Sequence, residues 1–407
     1  MSRSIVDKIE PTGFIKSYIE YANKIYAGGL EYKLAGALVA LSVCCGSNVV
    51  YPFYGTQRQW PILYVLLLGP AGQGYKTTSI GVTESLIGEV DSDLLLPNIT
   101  TLERYLSRAK RVPTSLWAIK EFSAVLENWN RDFAREFRST ITDLYDPHDV
   151  FRKEKIGKPG DDDNTVIINK PAMNIFAAST PDWLKTSMKN EDLRGGLMGR
   201  FLTFPMGEKT KDPGINTKSV PHEDLITHLK TLRSLVGSWV DIDEVNAQFH
   251  KWNLGIQKRI EKEITPESAG FWSRLPAHVM KLAVLFCISD HPEPQKKYIL
   301  TNDNLYKAIT LGKWLTIQAC ELASTEFVKS KTEDNIQRLL KIADREGGVL
   351  KSFVLQNLHI TARELKALEQ TAVERGQLRI QIPKGITKPP TYYVTVKKEE
   401  EVEEEDI

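Results

Sequence analysis

The segment Gly69-Pro70-Ala71-Gly72-Gln73-Gly74-Tyr75-Lys76-Thr77-Thr78 sets glycines, a lysine and paired threonines where a buried strand would turn into a helix. Those residue types suit the cradling of phosphate. Glycines let backbone N–H groups turn inward around phosphate oxygens. Lys76 would neutralise the β- and γ-phosphates, Thr77 would hold Mg²⁺ with Thr78 beside it, and the helix N-terminus adds its positive dipole. Gly69, Gly72, Gly74, Lys76, Thr77 and Thr78 are therefore candidate ATP-binding residues of a P-loop. The spacing departs from the usual pattern once, where Tyr75 stands in place of the glycine that normally precedes the lysine.

Hydrolysis also needs a carboxylate that positions Mg²⁺ or polarises water. Glu121 follows the apolar stretch Leu116 to Ile119 and is placed for both tasks, although Lys120 occupies the position before it, where an aspartate is usual. Ser179 and Thr180 end a further apolar stretch, Ile175 to Ala178, in polar groups suited to sensing a γ-phosphate. Arg200 comes just after Gly195-Gly196, so it could be delivered to a neighbouring subunit's nucleotide, where an arginine stabilises transition-state charge. Arg194 competes for that role. Arg274, in Ser273-Arg274-Leu275-Pro276, reads as opening a helix and reaching the same nucleotide.

The elements that must hold these residues follow from hydrophobic pattern. Residues 13 to 48 read as helix, broken at Gly28-Gly29. Val49 to Tyr54 reads as a short strand, and Leu63 to Leu68 as a strand buried on both faces. With Leu116 to Ile119 and Ile175 to Ala178, strands alternate with helices, which implies a parallel α/β sheet covered on both sides. Residues 220 to 325 are helical in pattern, with Thr301-Asn302-Asp303 as caps. From about Thr332 come three short helices, the third opened by a Thr361/Glu364 capping box and stopped at Gly376, then strands at Leu378 to Ile382 and Tyr392 to Val396. That is a winged-helix pattern. Arg363, Lys366 and Arg375 on its third helix, with Lys384 and Lys388 on the wing, suit a DNA groove and backbone; protein contact is the other use of such a domain.

Composition permits this reading. The chain has 407 residues and a formal net charge of +1, but Glu399 to Ile407 carry seven acids and no base, leaving +8 on the remainder. A mildly basic body suits nucleic acid, and the acidic end reads as a solvated, disordered tail. Cys44, Cys45, Cys287 and Cys320 form no Cys-x-x-Cys pair, so zinc and a disulfide framework are not indicated. Residues 1 to 11 lack a signal-peptide pattern and no uninterrupted apolar run approaches bilayer length, so a reducing cytoplasm and no membrane are expected.

The ordered motifs resemble a family of helicase- and primase-associated ATPases of phages, prophages, plasmids and cassette elements. They are Lys120-Glu121-Phe122-Ser123, Leu144-Tyr145-Asp146, Ala178-Ser179-Thr180-Pro181, Gly195-Gly196 with Arg200-Phe201, and Arg274 to Ala283. The match covers roughly residues 12 to 320. The resemblance implies an AAA+ or RecA-like P-loop core, oligomeric, acting near replication, with ATP and Mg²⁺ as cofactors and DNA as partner. The expected organisation is an N-terminal helical region (1–55), an ATPase core (56–215), a helical lid (216–330), a winged helix (331–397) and the tail (398–407). The expected function is a ring-forming DNA translocase or helicase, a hexamer by preference, working with replication proteins. The alternative is an ATP-binding replication initiator or helicase loader with slow hydrolysis.

Overall fold

The computed structural model describes residues 4–53, 58–98, 100–129, 135–154, 165–188, 196–214, 219–264, 266–291, 293, 295–323, 328–344, 349–381 and 392–395. The chain packs as two compact units, Met1–Ala323 and Ser324–Ile407. Strands in the first are β1 (Val49–Pro52), β2 (Arg58–Gln59), β3 (Tyr64–Leu68), β4 (Thr114–Ile119), β5 (Val150–Glu154), β6 (Thr165–Asn169), β7 (Ala172–Ser179), β8 (Phe201–Pro205), β9 (Ser238–Asp241) and β10 (Lys297–Ile299).

The fold is α/β around a parallel sheet of order β4-β7-β3-β8. Every residue of β3, β4 and β7 is buried, which is why apolar side chains predominate on both faces of these strands rather than alternating. Tyr64 pairs with Phe201 and Leu68 with both Pro205 and Ser179, so the carboxyl ends of β3, β7 and β8 lie side by side. The chain leaves β3 for β4 on one side, returns through β7 between them, and crosses to β8 on the other side. Strand order thus reverses beside β3, and in open α/β sheets ligands bind outside the carboxyl ends at such a reversal.

The helix Leu30–Cys45 is buried from Glu31 to Cys45 and packs in one core with Gly13–Asn23, Lys76–Val90, Pro266–Ser289 and Asn302–Leu322. Ser268–Ser289 is long and apolar enough to cross a membrane by length and composition, with mean hydropathy 1.3, but 83% of that window is buried inside the protein. It is a core helix. Cys44, Cys45 and Cys287 are buried free thiols.

Two expectations need correction. Residues 220 to 325 are not purely helical: β9 and β10 join β1 and β2 in a second sheet of order β10-β9-β1-β2. Strands of three or four residues carry too little periodicity to separate them from helix. Arg274 does not open a helix either. Pro266–Ser289 runs through Pro276, because packing against the core outweighs the one hydrogen bond proline removes.

The second unit contains helices Val328–Ala343, Lys351–Leu358 and Ala362–Glu374, with β11 (Val349–Leu350), β12 (Leu378–Gln381) and β13 (Tyr392–Thr395) in an antiparallel sheet of order β11-β13-β12. Ile336, Leu339, Val354, Leu365, Leu368 and Tyr393 form its core. The capping box is present: Glu364 N donates to Thr361 Oγ1 at 3.2 Å and Thr361 N donates to Glu364 Oε2 at 2.8 Å. Gly376 follows that helix at φ +68°, a left-handed value glycine adopts without strain.

Candidate functional site

The loop that leaves β3 borders a cavity of about 740 Å³. Pro70 to Thr78 form one wall, and Lys120, Glu121, Ser179, Thr180, Asp182, Trp183 and Lys209 line the rest. Gly69 must lack a side chain, since a Cβ there would lie 2.6 Å from the Tyr32 hydroxyl, which donates to the Leu68 carbonyl at 2.7 Å. Gly72 turns at φ +68°. Tyr75 also takes a left-handed conformation, φ 58° and ψ 25°, immediately before the helix Lys76–Val90. A non-glycine residue held there is strained, so the loop keeps the turn a glycine would make and imposes it on tyrosine. The Tyr75 ring packs 6.1 Å from that of Tyr26, and Lys209 Nζ lies 5.9 Å from its centroid.

Lys76 Nζ donates to the Gly69 and Pro70 carbonyls, both at 2.7 Å, which arches its side chain back over the loop. Burial lowers its pKa and the Glu121 charge partly restores it. Thr77 and Thr78 are exposed to the cavity. From the carboxyl end of β7, Ser179 Oγ meets Ser123 Oγ at 2.5 Å, and Gly69 N donates to the Ser179 carbonyl at 3.4 Å. Thr180 Oγ1 caps the helix Pro181–Ser187 by accepting from Trp183 N. Glu121 is exposed beside these groups, whereas Lys120 is engaged by Glu84 of the loop helix at 3.2 Å.

Neither a family model nor a curated protein matches the chain. The geometry therefore stands by itself.

Among the described residues no group of three or more His, Cys, Asp and Glu could hold a metal. Mg²⁺ in a nucleotide site needs only one or two protein oxygens, the rest coming from phosphate and water. Thr77 and Glu121, which line the same cavity, would supply that number.

Arg200 and Arg274 belong to a different place. Arg200 immediately precedes β8, hence stands at the amino end of the sheet, while the glycine-rich loop leaves the carboxyl end of β3. Five residues of strand separate the two ends, about 16 Å. Arg200 is buried, donates from Nη1 to the Gly196 carbonyl at 2.9 Å and pairs through Nη2 with Asp146 at 3.1 Å. Arg274 reaches the same carboxylate at 3.1 Å. The motifs around Asp146, Arg200 and Arg274, dispersed in sequence, thus meet at one carboxylate.

Arg194 lies outside the described residues, as do Gly195, Lys384, Lys388 and the tail. In the second unit Arg363, Lys366 and Arg375 are exposed. Sequence reasoning passed over Asp182, Trp183 and Lys209. The first two directly follow Ser179-Thr180-Pro181 and could have been found from that adjacency; Lys209 had no local signal, because long-range pairing, of β8 with β3 and of Lys209 itself with Gly29, brings it to the cavity.

Proposed function

We propose that the chain is an ATP-dependent DNA translocase or helicase of mobile-element replication, built on a P-loop core and working as a ring, a hexamer by preference. One observation carries the ATPase part: Lys76 and Thr77, Glu121, and Ser179 and Thr180, from three separate segments, line a single cavity where the order of a parallel sheet reverses. In this reading the loop N–H groups and Lys76 bind the phosphates, Thr77 and Glu121 hold Mg²⁺, which neutralises phosphate charge when bound, Glu121 orients water, and Ser179 and Thr180 contact the γ-phosphate.

The ring rests on the separation of Arg200 and Arg274 from their own loop. Arginines at the far end of the sheet serve a nucleotide only if a second copy presents it. The DNA part rests on the second unit, whose three helices and antiparallel sheet match the order of a winged helix, with Arg363, Lys366 and Arg375 on or next to its third helix.

Two observations favour a second reading, an initiator or loader with slow hydrolysis: Lys120 is ion-paired where a Mg²⁺-side carboxylate is usual, and Tyr75 strains the loop. ATP turnover measured together with strand displacement separates them. Unwinding supports the motor; binding of ATP and DNA with slow turnover and no unwinding supports the loader.

A further inference from the structure

A second cavity, of about 890 Å³, opens at the other end of the sheet over Asp146, Arg274, Lys281 and Arg58. Asp146 is clasped by Arg200 Nη2 and Arg274 Nη1, each at 3.1 Å. Lys281 Nζ donates to the adjacent Tyr145 carbonyl at 3.2 Å and lies 3.4 Å from the Tyr145 ring centroid. Arg200 is 8% exposed and Lys281 only 2%. Arg200 and Arg274 thus share one carboxylate with Lys281 beside it, an excess of two positive charges whenever Lys281 is protonated, and with Arg200 and Lys281 buried such an excess is costly unless an anion enters.

Burial, aided by Arg274 and Arg200 and opposed by Asp146, pulls the Lys281 pKa down to about 7. His278, one helical turn earlier, is driven to about 3 by burial and the same cations and stays neutral. The remaining charged or titratable groups that line the cavity are Arg58, Asp149 and His148, the last 3.3 Å from Asp143.

We infer that this cavity is a second anion site, separate from the glycine-rich loop, that takes a doubly charged phosphate group. A phosphate monoester or terminal phosphate carries close to two negative charges, which matches the excess once Lys281 takes up its proton, and its oxygens suit guanidinium forks and a compact ammonium. Free phosphate and the terminal phosphate of a nucleotide held by a second copy share that chemistry. The inference does not depend on the ATPase reading, because Lys76 can be removed from the test.

The experiment titrates inorganic phosphate into full-length Lys76→Ala protein by calorimetry, in two buffers of different ionisation enthalpy, at about pH 7.5. One phosphate should bind, with uptake of protons as Lys281 becomes charged. Lys281→Met, which replaces the buried amine with an uncharged side chain of similar length, should weaken binding about tenfold and abolish the proton uptake, and Arg274→Gln, at a side chain 31% exposed, should weaken it about tenfold. Asp146→Asn should bind phosphate more tightly, because the internal competitor is gone, whereas a purely structural role for Asp146 predicts no gain. Loss of all binding in Lys76→Ala alone, wild-type affinity in Lys281→Met and Arg274→Gln, or weaker binding in Asp146→Asn would each overturn the inference. Sedimentation with ATP names the source. Self-association that weakens in Lys281→Met and is competed by phosphate points to a second copy's nucleotide, and self-association indifferent to both points to free phosphate.

Discussion

The hydroxyls of Ser123 and Ser179 meet at 2.5 Å, which ties the segment that carries Glu121 to the carboxyl end of β7. Glu121 is thereby held beside the loop by structure that does not involve its own side chain. Glu121→Gln should leave the fold and ATP affinity near wild type and reduce turnover by at least about 100-fold, the range expected on losing a group that orients water or carries a proton. Single-turnover hydrolysis beside equilibrium binding checks it; turnover near wild type would shift the role to Asp182, the other carboxylate on the cavity.

Tyr75 is in left-handed conformation without being glycine. Comparing Tyr75→Gly with Tyr75→Ala removes the ring in both and relieves the backbone in only one. The glycine variant should be the more stable by about 1 kcal/mol in denaturant unfolding. Equal stabilities would mean that the strain is absent.

Two buried histidines should weaken the fold in acid. Burial lowers His228 to about 4, and burial with nearby cations lowers His278 to about 3, from 6.5. Groups with depressed histidine pKa values stay neutral when folded and take up protons when unfolded. Stability should therefore be full above pH 6.5 and fall as pH drops through the window below it, by about 1.4 kcal/mol per pH unit for each histidine while both differences persist. His278→Gln should flatten the acid limb of a stability–pH curve; an unchanged slope would show that His278 is not the titrating group.

The two compact units predict separable roles. Residues 1–323 made alone should remain folded, and DNA affinity should fall. In the full chain Arg363→Ala and Lys366→Ala should each reduce the salt slope of DNA binding by about one. Undiminished DNA affinity in the shortened chain would assign the second unit to protein contacts.

How far the sequence could be read depended on where the information lay. β3 was legible because Tyr64 to Leu68 is apolar throughout, and the loop because glycine, lysine and threonine carry local signals. The Thr361 capping box and the Gly376 stop were legible for the same reason. β8 was not foreseen, although it fixes Arg200 at the far end of the sheet, since Phe201 to Pro205 becomes a strand through pairing with β3. The hub at Asp146 was visible only as separate motifs, because its partners come from residues 54 and 128 positions away. Burial of Arg200 and Lys281 is likewise a property of packing, with no trace in spacing.

ATP binding and hydrolysis by the wild-type chain and by Lys76→Ala, with and without DNA, test the central claim most directly. In the proposed reading Lys76 would be the main counter-charge for phosphates bound in the cavity after β3. The wild type should bind Mg²⁺–ATP and hydrolyse it, faster with DNA, and Lys76→Ala should lose both binding and turnover while keeping its unfolding temperature. A wild-type protein that binds no ATP, or a Lys76→Ala protein that binds it with unchanged affinity, would contradict the account.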